Sequence, residues 1–277
     1  MIRRLRRQPE PVEFTAPLLP EEPFFAIGDI HGCDRALASL LDGIDAHDAG
    51  GQSKIVFVGD YVDRGEDSAS VLNRVFRMSQ QSPDRVICLG GNHEAMLLSF
   101  LQDPEGRGAR WLQHGGVQTL ASYRIPGVAP RLTPDQLREA RDRFRDALGA
   151  EMISWLRKRP LAWSSGNVTV VHAAADPAKS IADQEDRTLL WGHPAFASQP
   201  RTDATWIVHG HTIEPEVKVR GGRISVDTGA FATGRLSAAL ITQNKVLSLP
   251  DGRELPIRQE TWRTDPGGKQ TGSGNKN

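Results

Sequence analysis

Gly28-Asp29-Ile30-His31-Gly32, Gly59-Asp60-Tyr61-Val62-Asp63-Arg64-Gly65 and Gly91-Asn92-His93-Glu94 decide the fold of this chain. Each stands directly after a short apolar run, at 24–27, 54–58 and 85–89, and such a run reads as a buried strand. Helical patterns follow at 34–46, 67–78 and 94–101, giving consecutive βα units at the usual repeat of roughly 30 residues. Two further apolar runs, 168–171 and 206–208, stop at His172 and at His209-Gly210-His211. Open α/β sheets place their sites at strand carboxyl ends, so the pattern predicts five strand ends that bring oxygen and imidazole groups to one edge.

Outward from these motifs the pattern changes. Residues 104–159 hold turn residues and then charged helical patterns at 134–148 and 151–158, which predicts a helical insertion or cap over about 104–160. Short stretches at 217–219, 223–226, 236–242 and 245–249, separated by Gly or Asn, predict antiparallel strands that complete a mixed sheet. Prolines at 9, 11, 17 and 20 deny residues 1–22 regular structure and predict an extended lead-in. One catalytic domain is expected over 23–250. The tail 251–277 is expected to be largely disordered, above all 265–277, which has hardly an apolar residue to offset its ordering entropy.

Composition narrows the function classes. Lys plus Arg and Asp plus Glu each total 34, for a formal net charge of +0, so no global field attracts nucleic acid or anionic lipid. That balance, with no aromatic-basic stripe, argues against a nuclease. Arg3, Arg4, Arg6 and Arg7 are followed by Pro and acidic residues rather than by the apolar region of a signal peptide. No stretch is apolar for the length of a bilayer, and Cys33 and Cys88 do not suggest a secreted disulfide framework. A cytoplasmic protein with no membrane partner is the expectation.

The residue types at the five strand ends suit a pair of divalent transition metals, because carboxylate, amide oxygen and neutral imidazole fit ions such as Mn²⁺, Fe²⁺ or Zn²⁺, whereas calcium wants oxygens alone. The spacing of Asp29 and His31 lets both side chains project to one side of an extended strand end. Two ions roughly 3.5–4 Å apart can share a hydroxide and clamp a phosphate for in-line displacement. Either Asp-x-His or Gly-Asn-His alone is most often a capped turn; the ordered set of five is what points to a metal centre.

The three glycine-flanked motifs resemble the signature motifs of the phosphoprotein phosphatase family within the calcineurin-like metallophosphoesterases, in the form carried by bacterial serine/threonine protein phosphatases. The resemblance runs from about residue 24 to 249 and weakens through the helical insertion. It implies an α/β fold with a central mixed β-sandwich flanked by helices. It implies further that Asp29 and His31 bind the first metal, that Asp60 bridges both ions, and that Asn92, His172 and His211 hold the second. The ions expected are two divalent metals, Mn²⁺ first, with Fe or Zn as alternatives, and the reaction is attack by metal-bound hydroxide on a phosphate ester. His93 is then a proton donor oriented by Asp63, as a carboxylate fixes the tautomer and stabilises the imidazolium. Arg64 is a phosphate clamp.

One departure stands out. Related bacterial phosphatases carry an arginine shortly after a Leu-Leu-Trp stretch, whereas this chain reads Leu189-Leu190-Trp191-Gly192-His193-Pro194. His193 stands in for that arginine, or Arg187 reaches in, or the contact is absent. His209 is assigned to the layer behind the ligands or to the core. Asp227 belongs to a loop resembling one near the active site in bacterial relatives, but Asp-Thr-Gly is also an ordinary turn, and it is left out of the ligand set. His47, His114 and the acidic run 183–186 read as solvated surface. The substrate expected first is a phosphoprotein carrying phosphoserine or phosphothreonine, because Tyr61, Asp63 and Arg64 complete the second motif in the form of those enzymes. The alternative is a symmetrical bis(5'-nucleosyl)-tetraphosphatase or similar nucleotide pyrophosphohydrolase acting on a phosphorylated small molecule, whose relatives share Gly-Asp-Ile-His-Gly-Cys through Cys33. An inactive binding module is disfavoured, since no ligand position is missing.

Overall fold

The computed structural model describes residues 12–48, 50–257 and 261–262. In chain order its strands are β1 (Val12–Glu13), β2 (Phe24–Ile27), β3 (Lys54–Phe57), β4 (Val86–Cys88), β5 (Ala162–Ser165), β6 (Val168–Val171), β7 (Trp206–His209), β8 (Lys218–Arg220), β9 (Arg223–Ser225), β10 (Ala238–Thr242), β11 (Lys245–Leu249), β12 (Arg253–Leu255) and β13 (Thr261–Trp262). The helices are α1 (Asp34–His47), α2 (Ser68–Gln81), α3 (Asn92–Gln102), α4 (Pro104–Trp111), α5 (Val117–Ser122), α6 (Pro134–Leu148), α7 (Ala150–Arg157), α8 (Asp186–Trp191) and α9 (Ala230–Thr233).

Two mixed sheets stack into a sandwich. The first has the order β12-β11-β10-β2-β3-β4 and the second β5-β6-β7-β9-β8. Period-two alternation decides what each face covers. Phe25, Ile27, Ile55 and Phe57 point to a core shared with Leu37 and Ile44 of α1 and Val71 and Val75 of α2. Their neighbours Phe24, Ala26, Val56 and Val58 point the other way, against Val168, Val170, Trp206, Val208 and Ile224 of the second sheet. The far face of that sheet carries Val171 and Ile207 under Leu189 of α8 and Phe196. Strands β2, β3, β6 and β7 are thus buried on both faces, which is why their sequences are mostly apolar. Among the described residues no helix is long and apolar enough to cross a membrane.

Three boundaries differ from expectation. The domain does not stop at 250: β12 pairs with β11 and buries Leu255. Residues 1–11, 258–260 and 263–277, with the basic start and 265–277 among them, lie outside the described residues, while the described part of the lead-in, from Val12, is bound to the body of the fold. Leu18 is buried, Phe14 meets the Trp206 ring edge-on at 5.2 Å, and the Trp206 indole donates to the Ala16 carbonyl at 3.1 Å. The segment 104–122 is helical rather than turn, because Asp103 caps α4 by accepting from Gly106 N at 2.9 Å with Pro104 in its first turn. Nor is the insertion an appended cap, since Trp111 and Phe144 are fully buried in the core that also holds Phe25 and Phe57.

Candidate metal centre

Strands β2, β3 and β4 of one sheet and β6 and β7 of the other end side by side, and the loops leaving them are tightly bent. His31, Asp60, Asp63, Arg64 and His211 all have positive φ, between 46° and 74°, a region that non-glycine residues rarely occupy and that clusters at functional sites. The sheets are tied together at this edge. The His172 Nδ1 donates to the Val58 carbonyl at 3.0 Å and the His211 amide to both Asp29 oxygens at 3.1 Å, while within the second sheet the Gly210 amide donates to the His172 carbonyl at 2.8 Å. Two glycines make this approach possible. A Cβ on Gly210 would overlap Asp29 Oδ1, and one on Gly91 would overlap Asp60 Oδ1.

Asp60 lies at the centre. Its Oδ2 is 3.5 Å from His31 Nε2 and its Oδ1 is 3.5 Å from His172 Nε2. Two candidate metal-holding groups share it, His31 with Asp60 and His93, and Asp60 with His172 and His211, each with its ligand atoms within 4.8 Å of one another. Asn92 Oδ1 faces His172 Nε2 at 2.8 Å and His211 Nδ1 at 3.0 Å. Because the ring N–H of His172 is committed to Val58, its Nε2 turns a lone pair toward an oxygen lone pair, and a divalent cation between them relieves that opposition. His31 is oriented the same way, donating from Nδ1 to the Val62 carbonyl at 2.8 Å. The donors present fit a pair of divalent ions.

Next to the cluster stands a buried dyad. His93 Nδ1 lies 2.6 Å from Asp63 Oδ2, and the Asp63 carboxylate also accepts from Trp111 Nε1 at 3.0 Å and from Thr119 Oγ1 at 2.6 Å. The other His93 nitrogen, Nε2, is 3.9 Å from Asp60 and 3.4 Å from Arg64 Nη2. A guanidinium at that nitrogen opposes a metal ion there, which separates His93 from the other histidines. Arg64 is backed by Phe231 of α9, whose ring lies 4.5 Å from the guanidinium carbon and meets His31 edge-on at 5.3 Å.

Burial dominates the electrostatics. It raises Asp29 and Asp60 well above the usual carboxylate range, with repulsion from Asp227 adding at Asp29 and repulsion from Asp29 adding at Asp60. It pushes Glu94 up to about 7 and Asp63 to about 8, against the hydrogen bonds each accepts. It drives His31 and His172 well below the usual imidazole value, and with the Arg64 charge takes His93 down to about 3. His31 and His172 therefore stay neutral and able to bind metal, and Asp29 and Asp60 hold protons unless a cation replaces them. For a carboxyl raised on folding, the stability it contributes is full below its unfolded value and is lost as pH rises through the folded one. Metal-stripped protein should thus weaken between about pH 4 and pH 8, and added Mn²⁺ should raise Tm more at about pH 8 than at about pH 6.5. A thermal scan showing equal shifts at both values would mean that the ions displace no protons.

Residues 22–215 match the family model described as calcineurin-like phosphoesterase. The chain belongs to this family. It is 28% identical over 262 residues to the asymmetrical bis(5'-nucleosyl)-tetraphosphatase PrpE of Geobacillus thermodenitrificans, covering 86% of this chain and 97% of that one. It is 34% identical over 158 residues to the symmetrical bis(5'-nucleosyl)-tetraphosphatase of Janthinobacterium, covering 57% of this chain and 46% of that one. The solved structure of a cold-active protein-tyrosine phosphatase from Shewanella shares the fold, with a TM-score of 0.55 at 19% identity over 90% of this chain and 82% of that chain.

In this phosphoesterase, Asp29, His31, Asp60, Asn92, His172 and His211 come together, with Asp63, His93 and Arg64 beside them. The positions proposed for the second phosphate contact do not join them. His193 turns Nε2 toward Asp176 at 3.8 Å and accepts from the Ala195 amide through Nδ1, and Arg187 is exposed on α8 at a separate cavity. His209 is buried against Phe196, ring centroids 4.9 Å apart. His114 is exposed, and the adjoining Gly115 packs against the backbone of Arg64 and Cβ of Asp63, so it stands at the rim of the site. Phe231, Thr119, Trp111 and Glu94 drew no assignment from sequence. The signal for Phe231 was its place just after the Asp227 loop; Glu94 could have been found as the third helical residue of α3, where a carboxylate reaches back to free amides.

Proposed function

We propose that this metallophosphoesterase hydrolyses dinucleoside tetraphosphates, and that phosphoprotein dephosphorylation is the second reading. The carrying observation is the likeness to a named tetraphosphatase over 86% of this chain and 97% of that one, joined by the partial likeness to a symmetrical tetraphosphatase. In favour of the second reading stands the Tyr61-Val62-Asp63-Arg64 form of the second motif. Action in the cytoplasm is part of the proposal, in keeping with the free thiols of Cys33 and Cys88.

Asp29, His31 and Asp60 would hold one divalent ion and Asp60, Asn92, His172 and His211 the other, with Mn²⁺ as first choice. When bound, the ions supply Lewis acidity to the phosphoryl oxygens and to water. Arg64, steadied by Phe231, binds the non-bridging oxygens and neutralises charge that grows in the transition state. His93 Nε2 gives a proton to the leaving oxygen while the buried Asp63 carboxyl, held up to about 8, gives its own proton to Nδ1, so that the ring stays neutral. A nucleotide phosphate is a far better leaving group than a serine alkoxide, so an anhydride asks less of His93 than a phosphoserine does.

Initial rates with Mn²⁺ on diadenosine tetraphosphate and on a phosphoserine peptide test this. A kcat/KM for the nucleotide at least about tenfold higher, a difference of about 1.4 kcal/mol in transition-state stabilisation, is expected. The reverse order would establish the second reading. Product analysis then tells cleavage at the middle anhydride, which leaves two nucleoside diphosphates, from cleavage nearer one end, which leaves a triphosphate and a monophosphate.

A further inference from the structure

A cavity of about 620 Å³ opens between α3, α4 and α8, in the size range of small-molecule sites. Met96 and Ser99 of α3, Arg107 and Arg110 of α4, and Arg187 and Trp191 of α8 line it. The Trp191 indole is 36% exposed, a costly placement for a large apolar ring, and the Arg110 guanidinium lies over it at 4.9 Å. None of the three guanidinium groups is in a salt bridge among the described residues. The cavity's carboxylate, Asp103, accepts from the Gly106 amide as the cap of α4, which leaves the lining positive on balance. The cavity and the metal centre share a helix. His93 lies in the first turn of α3, and Ser99, six residues on, is about 9 Å further along the axis at 1.5 Å per residue.

We infer that this cavity receives the distal nucleoside of a dinucleoside polyphosphate whose reacting phosphate sits at Asp60, an inference that rests on the reading proposed above. The base stacks on the Trp191 and Arg110 pair, since a flat π-face suits an indole and a guanidinium plane, and Arg107 and Arg187 take the intervening phosphates as charge-assisted hydrogen bonds. Arg187 thus acts on the phosphates beyond the reacting one rather than on the reacting phosphate itself.

Trp191→Ala and Arg110→Gln, each in the Mn²⁺-loaded protein, test the assignment. The expected result is a rise of about fivefold or more in KM for diadenosine tetraphosphate, the lower end for loss of one base stack, with kcat and p-nitrophenyl phosphate turnover unchanged and with KM recovered in Trp191→Tyr. Calorimetric binding of ADP to wild type and Trp191→Ala gives a readout independent of turnover. Weaker ADP binding by the variant supports the subsite even where the wild type leaves the tetraphosphate intact, an outcome that would overturn the proposed function alone. Tetraphosphate cleavage with unchanged KM in Trp191→Ala, or equal or absent ADP binding in both proteins, overturns the subsite and leaves the proposed function standing.

Discussion

Replacing His93 with Asn lowers kcat on phenyl phosphate by about 10²- to 10⁴-fold, the range for loss of a positioned acid or base, while the Mn²⁺-dependent rise in Tm is retained. The ring is placed for proton delivery and little else. Its Nδ1 is committed to Asp63 at 2.6 Å, and its Nε2 faces Arg64 at 3.4 Å. The loss should be smaller on p-nitrophenyl phosphate, whose leaving group departs with less help from a proton. Steady-state rates on both esters, beside thermal scans with and without Mn²⁺, check this. A variant that loses the Mn²⁺-dependent Tm rise and falls equally on both esters would make His93 a metal ligand, the alternative that its proximity to His31 and Asp60 allows.

Glu94→Ala should cost at least about 3 kcal/mol of stability, and with it the activity. The Glu94 carboxylate is 1% exposed and accepts from the backbone amides of Gly91 at 2.9 Å, Asp60 at 2.8 Å, Tyr61 at 2.8 Å and Val62 at 3.3 Å. It therefore fixes the loop that carries Asp60 and Asp63. Truncation leaves several buried N–H groups without acceptors, at about 1–3 kcal/mol each, and a 3 kcal/mol loss lowers Tm by roughly 6–12 °C for a chain of this size. Glu94→Gln should fall between the two, because Oε1 keeps its Tyr61 and Val62 donors while an amide NH₂ would face the donors of Asp60 and Gly91. A Glu94→Ala protein with wild-type Tm would show that water or a shifted loop satisfies these amides.

The polar cluster at the strand ends was legible because its chemistry repeats locally. Asp29, His31, Asp60, Asn92, His172 and His211 each stand where an apolar run stops, and glycines beside most of them mark the tight backbone approach. The apolar runs at 24–27 and 54–58 marked strands buried on both faces by the same local logic. The support of Asp63 was not legible. Trp111 and Thr119 donate to it from 48 and 56 residues away, in a stretch where Gly106, Gly108, Gly115 and Gly116 conceal the helices. The polar strand β5 and the strand β12 beyond residue 250 were missed because each is an edge strand with no continuous apolar run. Phe231 reads as an ordinary exposed ring until the fold sets it against Arg64.

The most direct test of the metal centre is hydrolysis of p-nitrophenyl phosphate by metal-stripped protein titrated with Mn²⁺, with Asp60→Asn alongside. Turnover that appears with Mn²⁺, saturates near two ions per chain and is lost in the variant is the predicted result. Turnover unchanged by chelation, or undiminished in Asp60→Asn, would contradict a metal centre built around Asp60.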